Sequence, residues 1–119
     1  MIKIYGIKNC DSVKRAMKWF DHHNIDYHFH DLRLDGLSEQ ELHLWMKELG
    51  WKTLINQRGT TWRDLPNNEK SGMDNEKACA LILKNVTLIK RPLLDLGNNY
   101  HVGFKEDDYK NLFSAVIYD

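Results

Sequence analysis

Apolar positions along the chain change period several times, and each change predicts an element. Ile2 and Ile4 alternate with Lys3, as in a strand. Gly6 permits the bend that follows. From Asp11 the spacing becomes helical, with Val13, Ala16, Met17 and Phe20 at i, i+3, i+4 and i+7. Asp11 and Ser12 suit a helix N-terminus and Asn24 suits its end, which predicts a helix from about Asp11 to His23. Ile25, Tyr27 and Phe29 then alternate with Asp26, His28 and His30, the pattern of a half-buried strand. Strand, helix and strand with short connections make a βαβ unit, so the first two strands should run parallel.

The middle of the chain reads as helical. Ser38-Glu39-Gln40-Glu41 is a capping box, and Leu42, Trp45, Met46 and Leu49 form an apolar stripe that Gly50 ends. Trp51 to Ile55 is a loop or a short helix. Arg58 and Arg63 flank Gly59-Thr60-Thr61-Trp62 in the polar stretch that follows. Asp74 is an N-cap for a helix to about Lys84, whose apolar face holds Ala78, Leu81 and Ile82, with Cys79 as core. Val86 to Leu96 is strand-like but contains Arg91-Pro92, and proline there marks an edge, a bulge or a cis peptide. Asn98-Asn99 is a turn signal, and Tyr100 to Phe104 returns as the second strand of a hairpin. Tyr109, Leu112, Phe113 and Val116 predict a final amphipathic helix. It lacks an N-cap residue, but Glu106, Asp107 and Asp108 suit the positive end of its dipole.

The order is therefore β-α-β, a helical stretch over about 33–85, then β-β-α. This is the thioredoxin-like order: an α/β fold with one four-stranded mixed sheet. The expected organisation is a single domain over 1–119, with a core of about 1–32 and 86–119 and a helical insertion of about 33–85.

A chain of 119 residues, 42% hydrophobic and 29% charged, can bury a real core and has the composition of a soluble globular protein. Seventeen basic residues balance seventeen acidic ones, which argues against a nucleic-acid or membrane-surface binder. There is no apolar run long enough to span a bilayer and no signal-peptide pattern at the start. Two cysteines are too few for a disulfide framework, so the cytosol is the expected compartment, and because nothing in the sequence demands oligomerisation a monomer is the expected state. Six histidines invite a metal reading, with His28 and His30 on one strand face and His22-His23 ending a helix. No His-x-x-x-His or Cys-x-x-Cys pair exists, and surface histidines with no metal are expected. Trp19, Trp45 and Trp62 are expected in the core, although Trp62, between polar segments, is also placed to wall a pocket.

Cys10 carries the candidate chemistry. It falls between the first strand and the first helix, where unpaired backbone N–H groups and the positive end of the helix dipole should face its sulfur. Lys8, Lys14 and Arg15 add positive charge, and the thiolate favoured by such a setting is the reactive form. Asp11 opposes this unless its carboxylate caps the helix. A free cysteine is ordinarily a small buried hydrophobe, but a loop tip between strand and helix is a poor place to bury one.

Four segments together resemble the arsenate reductase (ArsC) family: Gly6-Ile7-Lys8-Asn9-Cys10-Asp11, Arg58-Gly59-Thr60-Thr61-Trp62-Arg63, Ile89-Lys90-Arg91-Pro92-Leu93-Leu94, and Val102-Gly103-Phe104. The resemblance spans essentially the whole chain and is greatest to the YffB branch, which is related to the Spx regulators. It implies a thioredoxin-like fold with a helical insertion, Cys10 as nucleophile, Arg91 as an anion-binding residue and Pro92 as a cis-proline. It also implies an arginine from the insertion, best matched by Arg63, with Arg58 as the other candidate. Glutaredoxin-coupled arsenate reductases carry a further arginine where this chain reads His101-Val102-Gly103-Phe104, which weakens the case for an oxyanion substrate. Many Spx regulators carry a Cys-x-x-Cys switch, but here Val13 follows Cys10 at that spacing.

The expected activity is a thiol-disulfide reductase with one nucleophilic cysteine and glutathione as co-substrate. Arg91, Arg63 and Lys8 would bind the glutathione carboxylates, and Asn9 and Arg58 are further candidates. The alternatives are arsenate reduction, or a non-catalytic Spx-like regulator that docks on RNA polymerase.

Overall fold

A computed structural model describes residues 1–117 of the chain. The last two residues of the expected core segment, 118 and 119, lie outside the described residues. In chain order the first elements are β1 (Ile2–Gly6), α1 (Asp11–His22), β2 (Tyr27–Asp31), α2 (Glu39–Leu49) and α3 (Trp51–Leu54). There follow α4 (Thr60–Arg63), α5 (Asn67–Lys70), α6 (Asn75–Lys84), a 3-10 turn (Val86–Leu88), β3 (Leu93–Asp95), β4 (Tyr100–Val102), α7 (Glu106–Leu112) and α8 (Ser114–Ile117). The chain divides into two compact units, one of Met1–Asp31 with the segment from Arg91 onward, the other of Leu32–Lys90.

The first unit holds a four-stranded mixed sheet in the order β2-β1-β3-β4. β1 and β2 are parallel, from Ile2 opposite Tyr27 to Gly6 opposite Asp31. β3 runs antiparallel to β1, with Tyr5 opposite Leu93, and β4 antiparallel to β3, with Leu93 opposite Val102. This is the thioredoxin-like fold that the element order predicts. Ile4 and Leu94 are sheet neighbours, and α1 and α7 close over them through Ala16, Trp19, Phe20, Tyr109 and Phe113. The aromatic rings meet largely edge to face, with Trp19 and Tyr109 centroids 5.4 Å apart at 87°, a favoured arrangement for π systems.

In the second unit, Ser38 caps α2 by accepting a hydrogen bond from the Glu41 N–H, and Asp74 caps α6 by accepting from Lys77. Trp51 to Leu54 is a short helix. Leu42, Trp45 and Met46 of α2 are buried, as are Ala78, Cys79 and Ile82 of α6. Trp62 is half-buried rather than core and stacks on Trp51, with centroids 6.1 Å apart.

Several expectations change at element ends. α1 stops at His22, and Asn24 takes a left-handed conformation with φ 55°, which asparagine tolerates. β2 begins only at Tyr27, although Ile25 is buried in the same core. Val86 to Leu96 is not one strand. It comprises a 3-10 turn, an isolated bridge between Ile89 and Ile55, a cis Arg91–Pro92 peptide, and then the three residues of β3. The ring of Pro92 leaves no N–H for a ladder, so pairing with β1 begins after it. β4 stops at Val102 because Gly103 turns away with φ 87°. The final helix is broken at Phe113, where φ −113° and ψ 21° leave helical geometry. Tyr109 and Phe113 are buried, whereas Leu112 and Val116 of the expected stripe are exposed.

Where β1 ends, the backbone of Gly6 lies against Val13 of α1. A Cβ on Gly6 would sit 2.6 Å from Val13 Cγ2 and 3.2 Å from its Cγ1. Val13 is fully buried and β-branched, so it cannot rotate aside cheaply. Gly6→Ala should therefore destabilise the fold by about 1–3 kcal/mol, the usual cost of overpacking. In denaturant unfolding, Gly6→Ala combined with Val13→Ala should lose less than the sum of the two single variants. Strict additivity would show that the two positions do not collide.

Candidate active site

Cys10 stands immediately before α1 in extended geometry, with φ −94° and ψ 125°. Its N–H donates to the Ile7 carbonyl at 3.1 Å, which closes the turn, and its carbonyl accepts from the Lys14 N–H at 3.0 Å, which opens the helix. Cys10 is thus the N-cap residue itself, and its side chain makes no capping hydrogen bond. The half-buried thiol therefore belongs to the residue that precedes the first-turn N–H groups and is not spent on capping them. Asp11 is the first helical residue and does not cap. Its carboxylate is exposed in the first turn, where the helix dipole favours a negative charge.

Lys8 and Asn9 are exposed in the turn that leads to Cys10. The Lys8 backbone N–H donates to Asp31 Oδ2 at 3.2 Å. Asp31 closes β2, pairs with Gly6 and is 5% exposed, a buried carboxylate tied to the Cys10 turn. Sequence reading missed this residue. Its signal, an acidic residue directly after a strand, becomes informative only once the register places it opposite Gly6.

The cis Arg91–Pro92 peptide precedes β3. Because Tyr5 of β1 is opposite Leu93, this turn stands at the same end of the sheet from which the Gly6–Cys10 segment leaves. Pro92 is buried and Arg91 is half-buried. The Pro92 carbonyl accepts from the Gly103 N–H at 2.8 Å. The first unit therefore brings Lys8, Asn9, Cys10, Arg91 and Pro92 into one unit, at one end of one sheet.

Arg58 and Arg63 belong to the second unit. Arg58 is exposed in the turn before α4, where its N–H donates to Asn56 Oδ1 at 3.2 Å, and Arg63 is exposed at the end of α4. Cys79 is 5% exposed within the helical core of that unit. Burial and the nearby Glu39 carboxylate push its thiol above the ordinary cysteine value. Both cysteines are free. Among the described residues, no group of three or more His, Cys, Asp or Glu side chains is placed to hold a metal ion, and no helix is long and apolar enough to cross a membrane.

A thioredoxin-like sheet with a cysteine at the N-terminus of its first helix and a cis-proline beside that strand end defines a class of thiol-bearing α/β proteins. Within it, the ArsC family model matches residues 5–112, and the chain belongs to the ArsC family. An uncharacterised protein from Haemophilus influenzae is 43% identical over 114 residues, covering 96% of this chain and all (100%) of that protein. The structure of the protein YffB is similar with a TM-score of 0.88 at 40% identity, covering 98% of this chain and 99% of that one. An arsenate reductase (ArsC) related protein from Brucella melitensis gives a TM-score of 0.80 at 41% identity, covering 94% and 93% of the two chains. Relatives at greater distance include the global transcriptional regulator Spx of Listeria innocua, 29% identical over 98% of this chain and 90% of the regulator.

Two measurements probe this geometry. Asp31→Ala leaves the Lys8 N–H without its carboxylate partner and should cost about 1–3 kcal/mol in unfolding free energy. An unchanged unfolding midpoint would show that the buried carboxylate does not hold the turn. Alkylation by iodoacetamide, read site by site by mass spectrometry, should label Cys10 well before Cys79. A raised thiol value means less thiolate at a given pH, so the Cys79 rate should still climb with pH where an ordinary thiol has levelled off. Equal rates at the two sites would contradict the burial argument.

Proposed function

We propose that this ArsC-family protein is a cytosolic, monomeric oxidoreductase in which Cys10 is the sole nucleophile and glutathione the thiol co-substrate. The observation that carries the reading is the single half-buried, uncommitted thiol at the N-terminus of α1, with Val13 buried where a resolving cysteine would stand.

With one cysteine, the cycle needs a thiol from outside. The Cys10 thiolate attacks the glutathione sulfur of a substrate–glutathione mixed disulfide. That S–S bond breaks, the substrate thiolate leaves and takes up a proton, and a Cys10–glutathione disulfide forms. The thiolate of a second glutathione attacks the glutathione sulfur on Cys10. Oxidised glutathione departs and the Cys10 thiolate is restored, so the two electrons that reduce the substrate come from glutathione. Arg91, Lys8, and Arg63 or Arg58 are the cations assigned to the glutathione carboxylates. Asn9 orients the turn, and Pro92 fixes the backbone against which a peptide-like ligand would lie.

Arsenate reduction is a second enzymatic reading, supported by the kinship with an arsenate reductase related protein. The absence of arginine from His101-Val102-Gly103-Phe104 counts against it. A reading of a different class, a regulator that docks on RNA polymerase, is favoured by the kinship with Spx. It predicts polymerase binding that survives Cys10→Ser.

Exposure to oxidised glutathione followed by intact-mass spectrometry tests the proposal. One glutathione adduct on Cys10, removed by reduced glutathione and absent from Cys10→Ser, is the expected result. A folded protein that takes no adduct would overturn the enzymatic reading.

A further inference from the structure

The side chain of Tyr109 touches the helix that follows Cys10 and the end of the strand that pairs with β3. Its ring packs edge to face on Trp19 at 5.4 Å and also meets Phe20 at 5.6 Å, two residues of the helix that begins after Cys10. On its other side it meets Phe104 at 4.7 Å and His101 at 6.0 Å, which lie just after and within β4. The residue is fully buried, yet its hydroxyl is satisfied. It donates to the Gly103 carbonyl at 3.0 Å. Gly103 in turn donates its N–H to the Pro92 carbonyl at 2.8 Å. One peptide residue thus relays from a rigid aromatic core to the turn that carries Arg91 and Pro92.

A buried hydroxyl without a partner is costly, so the hydrogen bond to Gly103 fixes where α7 meets this loop. Gly103 has φ 87°, a conformation that leaves the chain free to turn there. The β3–β4 ladder, with Leu93 opposite Val102, brings the Gly103 N–H to the Pro92 carbonyl, and the Tyr109 hydroxyl on the Gly103 carbonyl is a further tether at the open end of that ladder. Phenylalanine at 109 would fill the core equally well. The hydroxyl therefore serves the loop rather than the packing.

We propose that Tyr109 is a positioning residue for the ligand site, a latch that holds the Arg91–Pro92 turn in place relative to Cys10 through Gly103. The inference rests on the proposed glutathione-dependent activity. Tyr109 takes no part in the chemistry, so removing its hydroxyl should weaken ligand binding and leave the thiol itself alone.

The test compares Tyr109→Phe with Tyr27→Phe. Tyr27 packs against the same core, and its hydroxyl faces the Asp21 carboxylate, away from the turn. The probe is a mixed disulfide of glutathione with a cysteine-containing peptide, turned over with reduced glutathione. Tyr109→Phe should raise KM for the mixed disulfide about two- to tenfold, the worth of one neutral hydrogen bond. Its kcat and its Cys10 alkylation rate should match the wild type, and Tyr27→Phe should leave KM unchanged. A folded Tyr109→Phe with wild-type KM would overturn the proposal, as would an equal rise in Tyr27→Phe. Hydrogen exchange of the Gly103 amide reads the latch without any turnover. It should be protected like a strand amide in the wild type and faster in Tyr109→Phe, and exchange at the rate of an open loop in the wild type would also overturn the latch. Lack of turnover in the wild type, with the Gly103 amide protected, would instead count against the enzymatic reading alone.

Discussion

Val13 lies so close to Gly6 that no side chain fits between them. Through that approach the helix is seated at the end of β1, and the four residues between strand and helix have little freedom. Ile7 is buried, its carbonyl accepts from the Cys10 N–H, and Lys8 is drawn back to Asp31. Cys10 must then open the helix. The same contact gives Val13 a packing role at the position where a second cysteine would complete a Cys-x-x-Cys pair. Seating α1 and leaving Cys10 a solitary thiol are two results of one constraint.

Around that contact the sheet arranges the rest. Parallel pairing with β2 brings Asp31 opposite Gly6, and antiparallel pairing with β3 brings Pro92 to the same end of the sheet. Neither neighbour is near Cys10 in sequence. The turn before β3 is held in its own right by Gly103, and Gly103 by Tyr109. Positioning therefore comes from backbone carbonyls and two buried polar side chains, Asp31 and Tyr109.

Much of this was legible in the sequence because local rules and the fold agree. The change of period at Asp11, the Ser38 and Asp74 caps and the stop at Gly50 all act within a few residues, and the structure has them as expected. The Arg91–Pro92 dipeptide announced an interruption, since proline has no N–H to give to a ladder. What the sequence did not yield depends on distant partners. Asp31 reads as an ordinary loop residue until the strand register is known. Tyr109 reads as one more apolar position on a helix, because the pattern cannot tell a hydroxyl with a partner from a ring that merely packs. The exposed Val116 shows the same limit, because the helical spacing runs through Phe113, where the backbone leaves helical geometry before α8 begins, and Leu112 is exposed within α7 itself. Arg58 and Arg63 were picked out by resemblance and lie in the second unit, on an exposed turn and a short helix.

In the proposed cycle one cysteine suffices. That is tested most directly by turnover of a glutathione mixed disulfide with Cys79→Ser and Cys10→Ser side by side, each confirmed folded. Wild-type turnover is expected in Cys79→Ser and none in Cys10→Ser, with a single Cys10–glutathione adduct trapped on the active variant. Loss of turnover in a folded Cys79→Ser would contradict it, because Cys79 would then be a working partner in the cycle rather than a buried core residue.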